Sequence, residues 1–437
     1  MYQKYYHNTR YYFLTSGRET LADKTTEQLY QERNKRVNDA LQLKIPDRVP
    51  IEMSFGYFPA KYAGVPASVV YYEPDKWLEA VKKTLIDFQP DSLFYVQALA
   101  PGKAMEILDP KTIRWPGYGV SPYHANQAIE GEWMKPDEYD LLLHDPTDFI
   151  LRVYLPRIVG AMEPFDKLPK LSAMGYGYFG AMTLAETLAQ PEVAAAIERL
   201  QQAGRESIAW RKTIPDLREE IEKLGFPVGG MGAGGAPFDQ VMNNLRGMTG
   251  TMMDMFRQQD KLHQLIDSFL QNSLARIAAM PQRTDSPRVF MATHRGSDGF
   301  MSLKQFEEFY WPGLKTVILA VIDKGLVPCI FFEGNWTTRL EYLLELPRAK
   351  LMAHFDSTDI FRAKEVLNNH ICIRGNVPGS LLTAGTVNEV KGYCKKLIDV
   401  VGKDGGLVVC PRVVPDEATP ENLHAMIDYT KEYGVYN

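Results

Sequence analysis

Apolar residues along the chain come in short continuous runs, each ending in a polar or turn-forming residue, with longer mixed segments between them. The runs are RVPIEMS from Arg48, DSLFYVQAL from Asp91, PVGGMGA from Pro227 and RVFMATH from Arg288. Four more follow: LVPCIFFEGN from Leu326, AKLMAHFDS from Ala349, HICIRGNV from His370 and GLVVCPRVV from Gly406. The last five begin 38, 23, 21 and 36 residues apart, intervals that suit repeated strand, loop and helix units. Runs of this length without alternation are expected of strands buried on both faces, and so of a parallel sheet. The segments between them have helical periodicity. SLKQFEEFYWPGLKTVILAVIDKG opens with Ser302 and Gln305 at capping-box spacing and closes near Gly325. Eight runs point to an α/β fold of the (β/α)8 TIM barrel type, with an open doubly wound sheet as the alternative.

Two regions depart from the unit. Residues 1–45 are expected to form an N-terminal helical arm, aromatic first and then charged and helix-prone, so that the barrel domain would occupy 46–437. An insertion spans about 100–225. Its first part, 100–170, is rich in Pro, Trp and Tyr and reads as loop. Residues 180–225 read as a helical hairpin.

Composition narrows the classes. The 437 residues are 45% hydrophobic and 24% charged, which excludes a mainly disordered chain. Lys and Arg number 49 against 54 Asp and Glu, a net charge of −5 with no basic stripe, contrary to what nucleic-acid binding requires. No apolar run reaches the roughly 18–20 residues of a membrane span, and the N-terminus lacks a signal-peptide core, so a cytoplasmic location is expected. Cys329, Cys372, Cys394 and Cys410 are too few and too scattered for a disulfide scaffold or a CxxC motif.

In such a barrel the chemistry lies at the carboxyl ends of the strands. There the sequence places Phe55, Tyr95, the stretch from Gly232 to Asp239, His294, Asp298, Glu333, Asn335, His354, Asp356, Arg374, Asn376 and Cys410. Glu333, His354 and Cys410 offer a carboxylate, an imidazole and a thiol from three strands, a three-ligand set for Zn2+ with a fourth position open. The plainer alternative makes Cys410 a buried thiol, His354 a core histidine and Glu333 a salt-bridge partner of Arg374. His294 and Asp298 are either a substrate-contacting pair or, for Asp298, a loop hydrogen-bond acceptor near a helix start. Phe55, Tyr95, Asp298, Asn335, Arg374 and Asn376 are candidate substrate contacts, and His294, Glu333 and His354 the candidate catalytic groups. GGMGAGGAPFD contains a formal GxGxxG, but Pro237 interrupts the helix that a dinucleotide fingerprint should open. Met242, Met248, Met252, Met253 and Met255 follow at helical spacing and suit core filling or a soft wall beside a planar ligand.

Six segments in the second half carry a family resemblance: GAPFD at Gly235, MSLKQFEEFYWPGLK at Met301, CIFFEGN ending at Asn335, HFDSTD at His354, IRGNVPG at Ile373 and PDEATPENLHAM at Pro415. In this order they resemble the uroporphyrinogen decarboxylase superfamily, a set of (β/α)8 barrels; the first 225 residues match loosely. The decarboxylases carry an arginine-rich MRQAGRY segment after the first strand, where this chain has MSFGYF from Met53 to Phe58, and the histidine after their last strand is missing from VVCPRVV. The other branch resembles corrinoid-dependent methyltransferases, which bind zinc through His-x-Cys and a later Cys. Phe331-Phe332-Glu333 stands at the HxC position, with Glu333 in place of the first cysteine and Cys410 near the later one. The resemblance implies an O-demethylase component that moves a methyl group from a methoxylated, aromatic substrate to a corrinoid (cobalamin). No DxHxxG motif occurs here, so that cofactor would arrive on a partner corrinoid protein. Alternatives are a lyase or decarboxylase acting on another anionic substrate, and transfer from a methyl-corrinoid to a thiol or tetrahydrofolate. A homodimer is compatible with these readings.

Overall fold

The computed structural model describes residues 24–175, 177–281 and 287–436. Each of the eight apolar runs carries one strand: β1 Glu52–Gly56, β2 Ser92–Val96, β3 Met231–Gly235, β4 Arg288–Thr293, β5 Val327–Phe332, β6 Met352–Phe355, β7 Cys372–Arg374 and β8 Leu407–Val408. Strands β3 to β8 form one parallel sheet in chain order, and β1 pairs with β2, also in parallel. Two parallel bridges join these sheets at both sides, Leu93 with Val228 ahead of β3 and Ile51 with Val409 after β8. Their backbone bonds include Leu93 N to Pro227 O at 3.0 Å and Glu52 N to Val409 O at 3.1 Å. Every strand therefore has a neighbour on each side. Among the described residues these pairings run continuously round the eight strands, as in a barrel.

Alternation along β1 sets inside against outside. Glu52 and Ser54 reach Arg374 across the lumen, whereas Phe55 packs outward on Phe58 and Phe88 at ring separations of 6.0 and 6.2 Å. The outer layer is helical: Pro74–Phe88, Gln259–Ala279, Trp311–Asp323, Ile360–Leu367, Val387–Val400 and Pro420–Tyr433. Between β5 and β6 a 3-10 helix, Thr337–Glu345, takes the place of an α-helix.

Of the expected arm, residues 1–23 lie outside the described residues; the rest is the helix Thr26–Leu41, capped by a Thr25–Gln28 box. Its Val37, Ala40 and Leu41 pack with Phe94, Cys329, Met352, Cys372 and Val408, stopping the amino-terminal end of the barrel. Arg36 and Arg48 clamp the buried Asp91 carboxylate at 2.6 and 2.7 Å, and Ile51 N donates to it at 2.8 Å. Burial alone would raise the Asp91 pKa; the two guanidinium charges outweigh it and hold the carboxyl well below the usual carboxylate range.

The insertion has more order than its composition suggests. Residues Ile113–Pro116, Gly119–Val120 and Gln127–Ala128 make a three-stranded ribbon. In place of a simple hairpin come the helices Tyr178–Leu188, Pro191–Thr213 and Leu217–Glu222. Val193 and Ala196 of the long helix join Met162, Phe165 and Leu168 in a small core of their own. The methionine stripe divides: Met242 and Met255 are buried, while Met248 and Met253 face outward. The capping box at Ser302 forms as its spacing indicates, with Ser302 Oγ accepting from Gln305 N and Gln305 answering Ser302 N. Ser302→Ala should lower unfolding stability by about 1 kcal/mol in chemical denaturation, and wild-type stability would show that the box adds nothing.

Candidate functional site

The arm closes one end of the barrel, so the accessible chemistry sits at the other, where the strands' carboxyl ends emerge. The register of β4 on β5 pairs Thr293 with Phe332, which places the next residues, His294 and Glu333, side by side. His294 Nδ1 lies 2.8 Å from Glu333 Oε2. The two side chains are 41% and 48% exposed, open to a substrate rather than sealed in the core. Beneath them is Asp239, buried on the short helix Pro237–Val241 that follows β3. Its carboxylate accepts from the backbone N–H groups of His294 and Arg295 at 2.8 and 3.0 Å and from Tyr310 Oη at 2.8 Å. The loop that carries the imidazole is thus tied down from below. The Glu333 hydrogen bond raises the His294 pKa above its ordinary value; partial burial opposes this, and the Asp239 charge adds to it. Burial raises Asp239 as well, against its three hydrogen-bond donors.

Deeper in the lumen, the pairings of Phe331 and Arg374 with His354 set three side chains in a row. Arg374 Nη1 donates to His354 Nδ1 at 2.8 Å. That bond keeps the His354 proton on Nε2, which faces Cys410 Sγ at 3.5 Å. Burial first, and then the Arg374 charge, hold the His354 pKa well below the ordinary value, so the ring is neutral. Burial pushes the Cys410 thiol up to about 12. Arg374 is spent on the other side as well. Nε meets Glu52 Oε2 at 3.2 Å, and Nη2 donates to Ser54 Oγ at 3.0 Å and to Glu52 O at 3.1 Å. Glu52 also faces Arg288 Nη1 at 3.4 Å and accepts from Ser92 Oγ at 2.8 Å.

The expected ligand set therefore does not converge. His354 and Cys410 face each other, but Glu333 belongs to His294, and the salt-bridge partner of Arg374 is Glu52 rather than Glu333. Among the described residues no three His, Cys, Asp or Glu side chains are grouped so as to hold an ion. A guanidinium on the back of His354 opposes the charge of a dication. These residues do not fit a three-ligand zinc site.

Other expected substrate contacts also have structural duties. Phe55 points away from the lumen into the helix layer, because its inward neighbours are Glu52 and Ser54. Asp298 accepts from Thr338 N at 3.0 Å and pairs with Arg339, the loop-acceptor alternative. Asn335 Oδ1 accepts from Thr337 N at 3.0 Å, at the start of the 3-10 helix. Asn376 is buried, its Oδ1 accepting from Tyr393 Oη at 2.9 Å. Tyr95 does face the mouth, half exposed, with its hydroxyl on Gln97 Oε1 at 2.6 Å. Glu52 and Asp416 went unnoticed in the sequence. An acid alternating with Ser54 inside an apolar run was the available signal for Glu52.

The fold and site define a parallel α/β barrel with an exposed His294–Glu333 pair at its mouth over a buried, arginine-locked histidine. Residues 160–433, more than half of the 437, match the uroporphyrinogen decarboxylase (URO-D) family, and the chain belongs to that family. A uroporphyrinogen decarboxylase from Chlorobaculum parvum is 23% identical over 234 residues, 51% of this chain and 63% of that protein, so the match spans less than two thirds of the relative. Among solved structures, a methyltransferase from Methanosarcina mazei aligns with a TM-score of 0.56 at 16% identity, over 92% of this chain and 98% of that one, which is a likeness of fold. No helix among the described residues is long and apolar enough to cross a membrane.

Proposed function

We propose that the protein is a methyltransferase that takes a methyl group from a methoxylated small molecule and passes it to a reduced corrinoid carried by a partner protein. The observation that carries this reading is the His294–Glu333 pair, which supplies at the barrel mouth the acid that an ether oxygen needs to leave. The corrinoid, when docked, contributes the electron pair that forms the new bond to the methyl carbon. As the carbon–oxygen bond breaks, its electron pair stays on oxygen, and His294 delivers a proton to that oxygen. Glu333 holds the imidazolium in register, and Asp239 fixes the loop beneath it. A neutral alcohol or phenol departs, more readily than an alkoxide or phenolate. The porphyrinogen reaction finds less support, since the stretch after β1 is MSFGYF without arginine and Arg374 is locked on Glu52 and His354.

Incubating the protein with reduced cobalamin or a corrinoid protein and a panel of methoxyarenes, while following the cobalt spectrum, should show methyl-cobalt formation. A chelator that strips zinc should leave the rate unchanged, because an acid does the work at oxygen. Turnover restored only by zinc would reinstate the metal reading, and no methyl-cobalt with any methoxyarene would remove the proposed activity.

A further inference from the structure

The charges around the mouth discriminate among methoxyarenes. Five arginines of the strand ends and the loops after them have a carboxylate partner: Arg246 with Asp254 at 2.6 Å, Arg295 with Glu130 at 3.3 Å, Arg339 with Asp298, Arg374 with Glu52 at 3.2 Å and Arg412 with Asp356 at 2.7 Å. Lys61, after β1, pairs with Glu417 at 2.7 Å. A substrate carboxylate entering here would have to break one of these pairs, or take the His294 proton that the reaction needs.

Across the mouth, β1 and β2 offer neutral hydroxyl chemistry instead. Tyr57 Oη lies 2.8 Å from Tyr71 Oη and donates to Asn126 Oδ1 at 2.9 Å. Tyr95 stands beside this pair, half exposed. Burial first, then the nearby Asp416 and Tyr71, push its phenol up to about 12, so it remains uncharged, its O–H donating to Gln97 Oε1 and its oxygen able to accept. Asp416 completes the wall, accepting from Tyr57 N at 2.6 Å. A carboxylate beside it would meet a like charge or a desolvated acid, whereas a hydroxyl could donate to Asp416 or to the Tyr95 oxygen.

We infer that the methyl donor is an uncharged methoxyphenol rather than a methoxylated carboxylate, with Tyr95 and Asp416 reading its free hydroxyl. This rests on the methyl-transfer reading above and narrows its substrate class. The test is calorimetric binding of 2-methoxyphenol and 2-methoxybenzoate to the full chain without corrinoid at neutral pH. Because a buried like charge is strongly penalised, the phenol should bind about 100-fold more tightly. Asp416→Asn should narrow that gap. Should this variant misfold, Tyr95→Phe serves instead, since loss of one hydrogen bond should weaken the phenol by about fivefold and leave the benzoate unchanged. Equal or tighter binding of the benzoate overturns the inference, as does a Tyr95→Phe variant that binds the phenol like wild type. The two readings fail separately: demethylation of the benzoate removes only this one, while no binding and no demethylation of either compound removes both.

Discussion

Replacing His294 with alanine is expected to slow methyl transfer by about 100- to 10,000-fold, the usual contribution of a positioned general acid. The loss should fall on kcat rather than KM, because the proton moves only as the carbon–oxygen bond breaks. The side chain is 41% exposed, so its removal should leave the melting temperature near that of the wild type, separating a chemical defect from a folding one. The pH profile gives an independent check. The Glu333 hydrogen bond raises the His294 pKa above its ordinary 6.5, and the charged form is the acid. Activity should therefore be full below the raised pKa and decline as the pH climbs through it. Glu333→Gln should move the break downward toward the ordinary value and lower the plateau. A flat profile, or a wild-type rate in His294→Ala, would show that the proton comes from elsewhere.

Why the sequence revealed some of this and not the rest follows from what a strand pattern encodes. Continuous apolar runs locate strands, and their polar ends locate the mouth, so His294, Glu333, His354, Arg374 and Cys410 were found as strand-end residues. Which of them meet depends on register, and a run such as CIFFEGN does not state which residue of RVFMATH it will pair with. Thr293 opposite Phe332 joins His294 to Glu333 across 39 positions of sequence. Arg374 opposite His354 takes up the histidine that would otherwise have been free for a metal. Phe55 shows the second gap. Being at the end of a strand does not settle which way a side chain points, and one residue of alternation separates the lumen from the helix layer. Asp298 and Asn335 show a third, since short polar side chains in a loop are as readily used by backbone N–H groups as by a ligand. Asp239 lay within a recognised segment, yet its role under His294 required the fold of two separate loops.

The buried charges make β1 sensitive to substitution, and Glu52→Gln tests this. Glu52 sits in the lumen with no exposure, between Arg288 at 3.4 Å and Arg374 at 3.2 Å. Both arginines are themselves buried, and the Arg288 nitrogens have no hydrogen-bond acceptor among the described residues. Glutamine keeps the shape and a carbonyl for Ser92 but removes the negative charge, leaving two guanidinium groups in a low-dielectric interior. Breaking a buried pair in this way typically costs about 3–5 kcal/mol, a large part of the stability of an ordinary domain. The expected result is a steep fall in denaturation midpoint or a loss of soluble protein. Adding Arg288→Met should recover much of the loss, because it withdraws one of the uncompensated cations and fills the space with apolar atoms. Recovery would assign the defect to charge; a double variant as unstable as Glu52→Gln alone would assign it to packing. Since Arg374 is held by the same carboxylate, the single variant should also release His354 from its tautomer, and the imidazole signals of the folded remainder should shift accordingly. One inward acid on the first strand thus links the stability of the barrel to the state of the histidine beneath its mouth.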